Sequence, residues 1–189
     1  MKLALISLGC SKNLVDSEHY LGILSKRKGM ELTSEIPEAD IVIVNTCGFI
    51  GDAKEESIQT ILEVSEFKET GNLKKIIVAG CLAQKYSEEI LKELPEVDAV
   101  IGTGDVDKIE KVDEILAGKK AVETKNMTFL ANANTDRVLT TAPHTAYLKI
   151  SEGCNRACTY CIIPQMRGRL RSRSIEDIVE EAKRLVASG

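Results

Sequence analysis

Cys154, Cys158 and Cys161 lie within the run Cys154-Asn155-Arg156-Ala157-Cys158-Thr159-Tyr160-Cys161. Thiolates are the usual ligands of iron–sulfur clusters, and four of them normally hold a cubane. Three leave one iron with an open position, and an open metal position marks catalysis rather than structure, as it does for zinc. Spacings of four and three also recur on one side of a helix. Along a regular helix, however, these sulfurs would spread over about 10 Å, too far to grip one small cluster. Gly153 before the trio and Pro164 after it favour a loop. Zinc, which accepts three cysteines with another ligand, is the alternative occupant.

A second set of three is scattered. Cys10, Cys47 and Cys81 follow the apolar runs Leu3–Leu8, Ile41–Asn45 and Ile76–Ala79, each of which reads as a buried parallel strand. All three therefore fall at carboxyl ends of strands, the edge where α/β sheets bind ligands. Gly9, Gly48 and Gly80 flank them and let backbone pass close to a bulky group. Three thiolates on one rim suit a shared metal cofactor, again with an open position. For any one of them, a small buried hydrophobe is the plain alternative.

The elements that must position these cysteines alternate, as in a parallel α/β sheet. A helix is expected after Cys10, running to about residue 28 and stopped by Gly29, with Glu31–Ser34 a short strand. Residues 50–67 place Ile50, Ala53, Ile58, Ile61 and Leu62 on one helical side. Another helix follows Cys81 and reaches about Leu94, before Pro95. Ala99–Ile101 is a short strand, and residues 105–117 read as helical. The pattern then dissolves into Thr, Asn and Ala, so the expected organisation is a domain over 1–118, a linker over 119–143 that holds at most an irregular strand, and the start of a second domain over 144–189. In that second part Thr145–Ile150 is the expected strand. Ser174 with Asp177 makes a capping box, and Ile175, Ile178, Val179, Ala182, Leu185 and Val186 form the apolar stripe of its helix.

The chain has 189 residues, 43% of them hydrophobic and 29% charged, with a net charge of −4. That balance excludes nucleic-acid binding by bulk charge alone. No stretch approaches a membrane span. Lys2, the apolar run and Gly9-Cys10 loosely resemble a lipoprotein signal, but the run is shorter than a signal's apolar region. Six cysteines without such a signal point to a reducing, cytoplasmic compartment and to metal binding or catalysis rather than disulfides. Arg167, Arg169, Arg171 and Arg173 form a basic patch suited to carboxylate or phosphate groups, with a solvated loop as the plain reading. His19 and His144 have no nucleophile signature nearby and read as structural or exposed. Asn13, Asp16 and Glu18 either support the Cys10 loop or start its helix.

Four segments resemble the methylthiotransferase family of radical-SAM enzymes, which use S-adenosylmethionine (SAM) as a radical source. They are Ser7-Leu8-Gly9-Cys10-Ser11-Lys12-Asn13 with Asp16-Ser17-Glu18, Asn45-Thr46-Cys47-Gly48-Phe49-Ile50, Gly80-Cys81-Leu82-Ala83-Gln84, and Ile150 through Arg173. The resemblance implies an N-terminal parallel-sheet domain followed by the start of a radical-SAM α/β barrel. It implies two [4Fe–4S] clusters, an auxiliary one on Cys10, Cys47 and Cys81 and a SAM-cleaving one on Cys154, Cys158 and Cys161. Arg167 and Arg171 are its candidates for binding SAM. SAM would serve twice, as methyl donor and as source of a radical that opens an unactivated C–H bond, with an external electron donor. The Lys12-Asn13 pair, the run after Cys47 and Ile162-Ile163-Pro164 leading to Arg171-Ser172-Arg173 are most similar to the branch that modifies an aspartate of a small-subunit ribosomal protein. The branch acting on a modified adenosine in tRNA is the runner-up, and a non-catalytic iron–sulfur or zinc module is the alternative of another class. Family members continue through a full barrel and a TRAM domain, so this piece alone is expected to be inactive.

Overall fold

The computed structural model describes residues 1–118, 121–124 and 127–188. The parts of the expected linker at 119–120 and 125–126 lie outside the described residues, as does Gly189. The order is β1 (Lys2–Ser7), α1 (Ser11–Ser25), β2 (Glu31–Leu32), β3 (Ile41–Thr46), α2 (Gly51–Ser65), α3 (Phe67–Thr70), β4 (Lys75–Gly80), α4 (Cys81–Lys85), α5 (Ser87–Glu93), β5 (Ala99–Ile101), α6 (Val112–Leu116) and β6 (Ala121–Glu123). Then come β7 (Ser151–Glu152), α7 (Ile163–Arg167), β8 (Arg171–Ser172) and α8 (Ile175–Ala187).

The first six strands form one sheet in the order β2-β1-β3-β4-β5-β6, with every neighbouring pair parallel. A parallel sheet is covered on both faces, so its central strands are continuous apolar runs. The run Ile41-Val42-Ile43-Val44 is buried throughout. Alternate residues feed two cores. Leu3, Ile41, Ile43 and Ile77 pack with Tyr20 and Leu24 of α1 and with Ile109 and Ile115 on one face. Val42, Val44, Ile76 and Val78 pack with Ile61 and Val64 of α2 and with Ile90 of α5 on the other. The chain leaves β1 outward to β2 and returns inward to β3, so the strand order reverses between β1 and β3. A ligand crevice of an open α/β sheet lies at such a reversal, beyond the carboxyl ends of the strands.

Three elements differ from expectation. The helix after Cys81 is broken at Tyr86, giving α4 and α5. The 105–117 stretch is a 3-10 helix, Val106–Lys111, leading into α6. The strand expected at Thr145–Ile150 is absent, and only Ser151–Glu152 pairs, antiparallel to Arg171–Ser172. The cause is competition for backbone carbonyls: Arg137 Nη2 donates to Tyr147 O at 2.7 Å and Arg173 Nη1 to Lys149 O at 2.9 Å. Side chains take the groups that a neighbouring strand would use.

The segment after the sheet returns along α1. A Cβ on Gly22 would lie 2.3 Å from the Arg137 backbone nitrogen and 2.4 Å from the Asp136 carbonyl carbon, so only glycine lets that segment close on the helix. Gly22→Ala should therefore cost about 1–3 kcal/mol through overpacking, despite alanine's better helix propensity. The control is Gly51→Ala, where nothing stands within 4 Å; thermal unfolding should show a lower midpoint for the first variant and none for the second.

Candidate functional site

Cys10, Cys47 and Cys81 all lie at the carboxyl rim of adjacent strands. Cys47 follows Thr46 and Cys81 follows Gly80, and Thr46 is the register partner of Gly80. Cys10 precedes α1, whose N-terminal amide groups favour a negative neighbour. Gly9 runs against Cys47: with φ at +86°, its Cβ would fall 2.7 Å from Cys47 Cβ and 3.0 Å from Cys47 Sγ. Any side chain there would fill the space that lets the Cys10 loop close over Cys47.

One side chain ties the three loops together. Asn13 Nδ2 donates to Leu8 O at 3.0 Å and to Thr46 O at 2.9 Å, the carbonyls just ahead of Gly9-Cys10 and of Cys47. Asn13 Oδ1 lies 3.8 Å from Cys81 Sγ. Asn13 is fully buried, and its own carbonyl accepts from Asn45 Nδ2 at 2.8 Å. Cys47 N–H is in turn donated to Ser57 Oγ of α2 at 3.1 Å.

Behind Asn13 stands a buried ion cluster that joins α1 to the C-terminal segment. Arg167, only 4% exposed, donates through Nη2 to Asn13 Oδ1 at 2.6 Å, and through Nη1 to Glu152 Oε2 at 2.8 Å and Asp16 Oδ2 at 3.2 Å. Lys149 completes the set, donating to Asp16 and, at 2.9 Å, to Glu152 Oε2. Burial alone would raise the Glu152 carboxyl, yet Lys149 and Arg167 outweigh it and hold the group at about 2. Burial pushes the Cys81 thiol up, with Arg167 pulling the other way. A second seam lies further along α1: Arg137 bridges Glu18, at 2.6 Å, and Glu181, at 2.8 Å, while Arg173 bonds Asp177 at 2.6 Å and also Glu181.

Cys154, Cys158 and Cys161 sit on a loop between β7 and α7 rather than on a helix. Gly153 (φ +80°) begins it, and a Cβ there would lie 2.2 Å from Arg169 O. Cys154 N–H is donated to Gly168 O at 3.0 Å, Arg156 N–H points to Cys154 Sγ at 3.4 Å, and Cys161 N–H closes a turn on Cys158 O at 3.1 Å. Tyr160 is 91% exposed. The loop leads straight into α7, which packs on α4: a Cβ on Gly48 would lie 3.0 Å from Leu82 Cα and 3.2 Å from Met166 Cε. The residue that ends α7 is Arg167, so one short helix connects the close trio to the scattered one.

Both trios suit iron–sulfur chemistry. All six thiols are free, Gly9 leaves a cradle beside Cys47, and a backbone N–H already points at Cys154 sulfur, the kind of hydrogen bond that tunes clusters. Among the described residues no three His, Cys, Asp or Glu side chains are gathered tightly enough for a single metal ion. Arg171 lies at the loop's edge, its Nη2 donating to Arg167 O at 3.3 Å, while its buried Nε has no partner among the described residues. Arg167, read from sequence as a cofactor contact, lies within the buried ion cluster with Asp16 and Glu152. Lys149, Arg137 and Glu181 were not singled out from sequence. The one available signal was on α1, where Asn13, Asp16 and Ser17 occupy spacings that would normally be apolar core.

The family model described as Uncharacterized protein family UPF0004 matches residues 2–102, and that of the Radical SAM superfamily matches residues 148–189. Among curated proteins, the ribosomal protein uS12 methylthiotransferase RimO of Clostridioides difficile is 53% identical over 190 residues, covering 100% of this chain and 43% of the relative. The proteins of the same name from Lachnoclostridium phytofermentans and Syntrophotalea carbinolica are 55% and 50% identical, with 43% and 42% of their lengths covered. The chain thus spans less than half the length of these relatives.

Loss of Glu152's partners has a calculable effect. Its carboxyl is depressed from 4.5 to about 2, so the stability it contributes is present above about 4.5 and disappears as pH falls through about 2. Glu152→Gln should cost on the order of 2–3 kcal/mol at neutral pH. In denaturant titrations the gap to the parent should close between pH 4.5 and 2; a gap independent of pH would contradict the assignment.

Proposed function

Because the chain belongs to the radical-SAM methylthiotransferase family, we propose that it forms the N-terminal part of an enzyme that methylthiolates an aspartate β-carbon of a small-subunit ribosomal protein. The observation that carries this reading is the placement of Cys10, Cys47 and Cys81 on one rim, with Asn13 bonded to Leu8 O and Thr46 O just ahead of the first two and 3.8 Å from Cys81 Sγ. In this reading Cys10, Cys47 and Cys81 hold an auxiliary [4Fe–4S] cluster, and Cys154, Cys158 and Cys161 hold a second one that binds SAM. When bound, the clusters and SAM supply a carbon radical and a sulfur donor, chemistry that side chains alone do not perform.

The protein's own residues position these groups. Gly9 and Asn13 fold the Cys10 loop over Cys47. Arg171, whose Nε has no partner among the described residues, suits the SAM carboxylate better than Arg167, whose donors already face Asp16, Glu152 and Asn13. The ion cluster fixes the two cysteine segments relative to each other, and a crevice at a domain junction is where a substrate side chain would enter. Residues 1–118, joined by β6 at the edge of their sheet, form one unit and residues 144–189 the start of the next. Six free thiols suit the reducing cytoplasm, and no described helix is long and apolar enough to cross a membrane. An external reductant supplies the electrons.

The division of labour is open to test in the full-length enzyme. Cys47→Ala should abolish methylthio transfer to the ribosomal protein, by at least about 100-fold, yet leave 5′-deoxyadenosine formation from SAM measurable. Simultaneous loss of both, or transfer to tRNA instead, would contradict the proposal.

A further inference from the structure

Arg167 belongs by sequence to the segment of the close trio, yet its side chain lies against the scattered trio. Its Nη2 donates to Asn13 Oδ1 at 2.6 Å, and that same oxygen lies 3.8 Å from Cys81 Sγ. The guanidinium and the sulfur thus share one side-chain oxygen as neighbour. Arg167 and its partners are buried: Asp16 is 3%, Glu152 is 2% and Asn13 is 0% exposed. Little water is present to screen them, and charges in such surroundings act strongly on one another.

Resting on the reading that Cys10, Cys47 and Cys81 hold a cluster, we propose that Arg167 is a positioning residue that sets the reduction potential of that cluster through its buried positive charge. Reduction adds one electron to the cluster and no proton, so the cluster and its thiolates gain one unit of negative charge. A cation fixed nearby stabilises the reduced form and raises the potential, and net charge and hydrogen bonding are the levers by which proteins tune such clusters. The carboxylates of Asp16 and Glu152 oppose it, and Lys149 adds to it; the sum is decided by which of these groups is present. Because Arg167 ends α7, its charge reaches the auxiliary site only while the close-trio segment is docked. The potential thereby reports that docking.

The test uses full-length protein with Cys154, Cys158 and Cys161 replaced by alanine, reconstituted anaerobically with iron and sulfide, and titrated with dithionite while the reduced cluster is followed by electron paramagnetic resonance. In that background Arg167→Gln should lower the midpoint potential, Arg167→Lys should leave it near the parent value, and Glu152→Gln should raise it. A purely structural role moves no potential in opposite directions for the two neutral variants. Shifts of the same sign, or unchanged potentials with a full cluster, would overturn the inference and leave the cluster assignment standing. Should Arg167→Gln fail to hold iron, Glu152→Gln decides: a raised potential supports the inference and an unmoved or lowered one overturns it. A background protein that binds no iron would overturn the cluster assignment, and the inference with it.

Discussion

The buried carboxamide of Asn13 stands between three cysteine-bearing loops and one buried cation, and the site depends on how it is satisfied. Its two N–H groups are both taken, by Leu8 O and Thr46 O, and its oxygen accepts from Arg167. A buried amide that lost these partners would cost about 1–3 kcal/mol for each group left unmet, so the loops hold one arrangement rather than several. The sheet brings three strand ends to one rim; the amide turns three neighbouring ends into one trident.

The same economy explains why the C-terminal segment docks where it does. Asp16 and Glu152 face Arg167 and Lys149 away from water. A buried ion pair adds little net stability, but removal of one partner costs about 3–5 kcal/mol because the other remains buried and unmatched. Such a cluster selects geometry: α1 and the Ser151–Arg173 segment have one register in which every charge is met. Gly22 and the Arg137 seam repeat the principle further along the helix. Positioning of the two thiol sets therefore rests on polar complementarity at the junction, while the apolar sheet supplies the platform.

Much of this platform was legible in the sequence. Parallel strands are continuous apolar runs, so Leu3–Leu8, Ile41–Asn45 and Ile76–Ala79 stood out within a residue of β1, β3 and β4, and the cysteines at their ends followed. The loop character of Cys154–Cys161 was readable from Gly153 and Pro164, and the Ser174 cap from its spacing: its hydroxyl accepts from Asp177 N. The ion cluster was not legible, because Arg167 finds Asp16 across 151 residues and no local pattern encodes that meeting. The expected strand at Thr145–Ile150 failed for a related reason. Its apolar residues suit a strand, but arginines from elsewhere in the chain occupy its carbonyls. The split at Tyr86 is a local backbone departure from helical geometry, with φ −122° and ψ 34°, that no residue type nearby announces.

If Asn13 gathers the first three thiols into one ligand set, its loss must empty that set. Iron and acid-labile sulfide per chain, measured in full-length protein lacking Cys154, Cys158 and Cys161, test it most directly when Asn13→Ala is compared with its parent. The parent should hold about four irons, as one cubane, and the Asn13→Ala protein should lose most of them while remaining folded. Equal iron in both proteins, with the same spectrum, would contradict the claim.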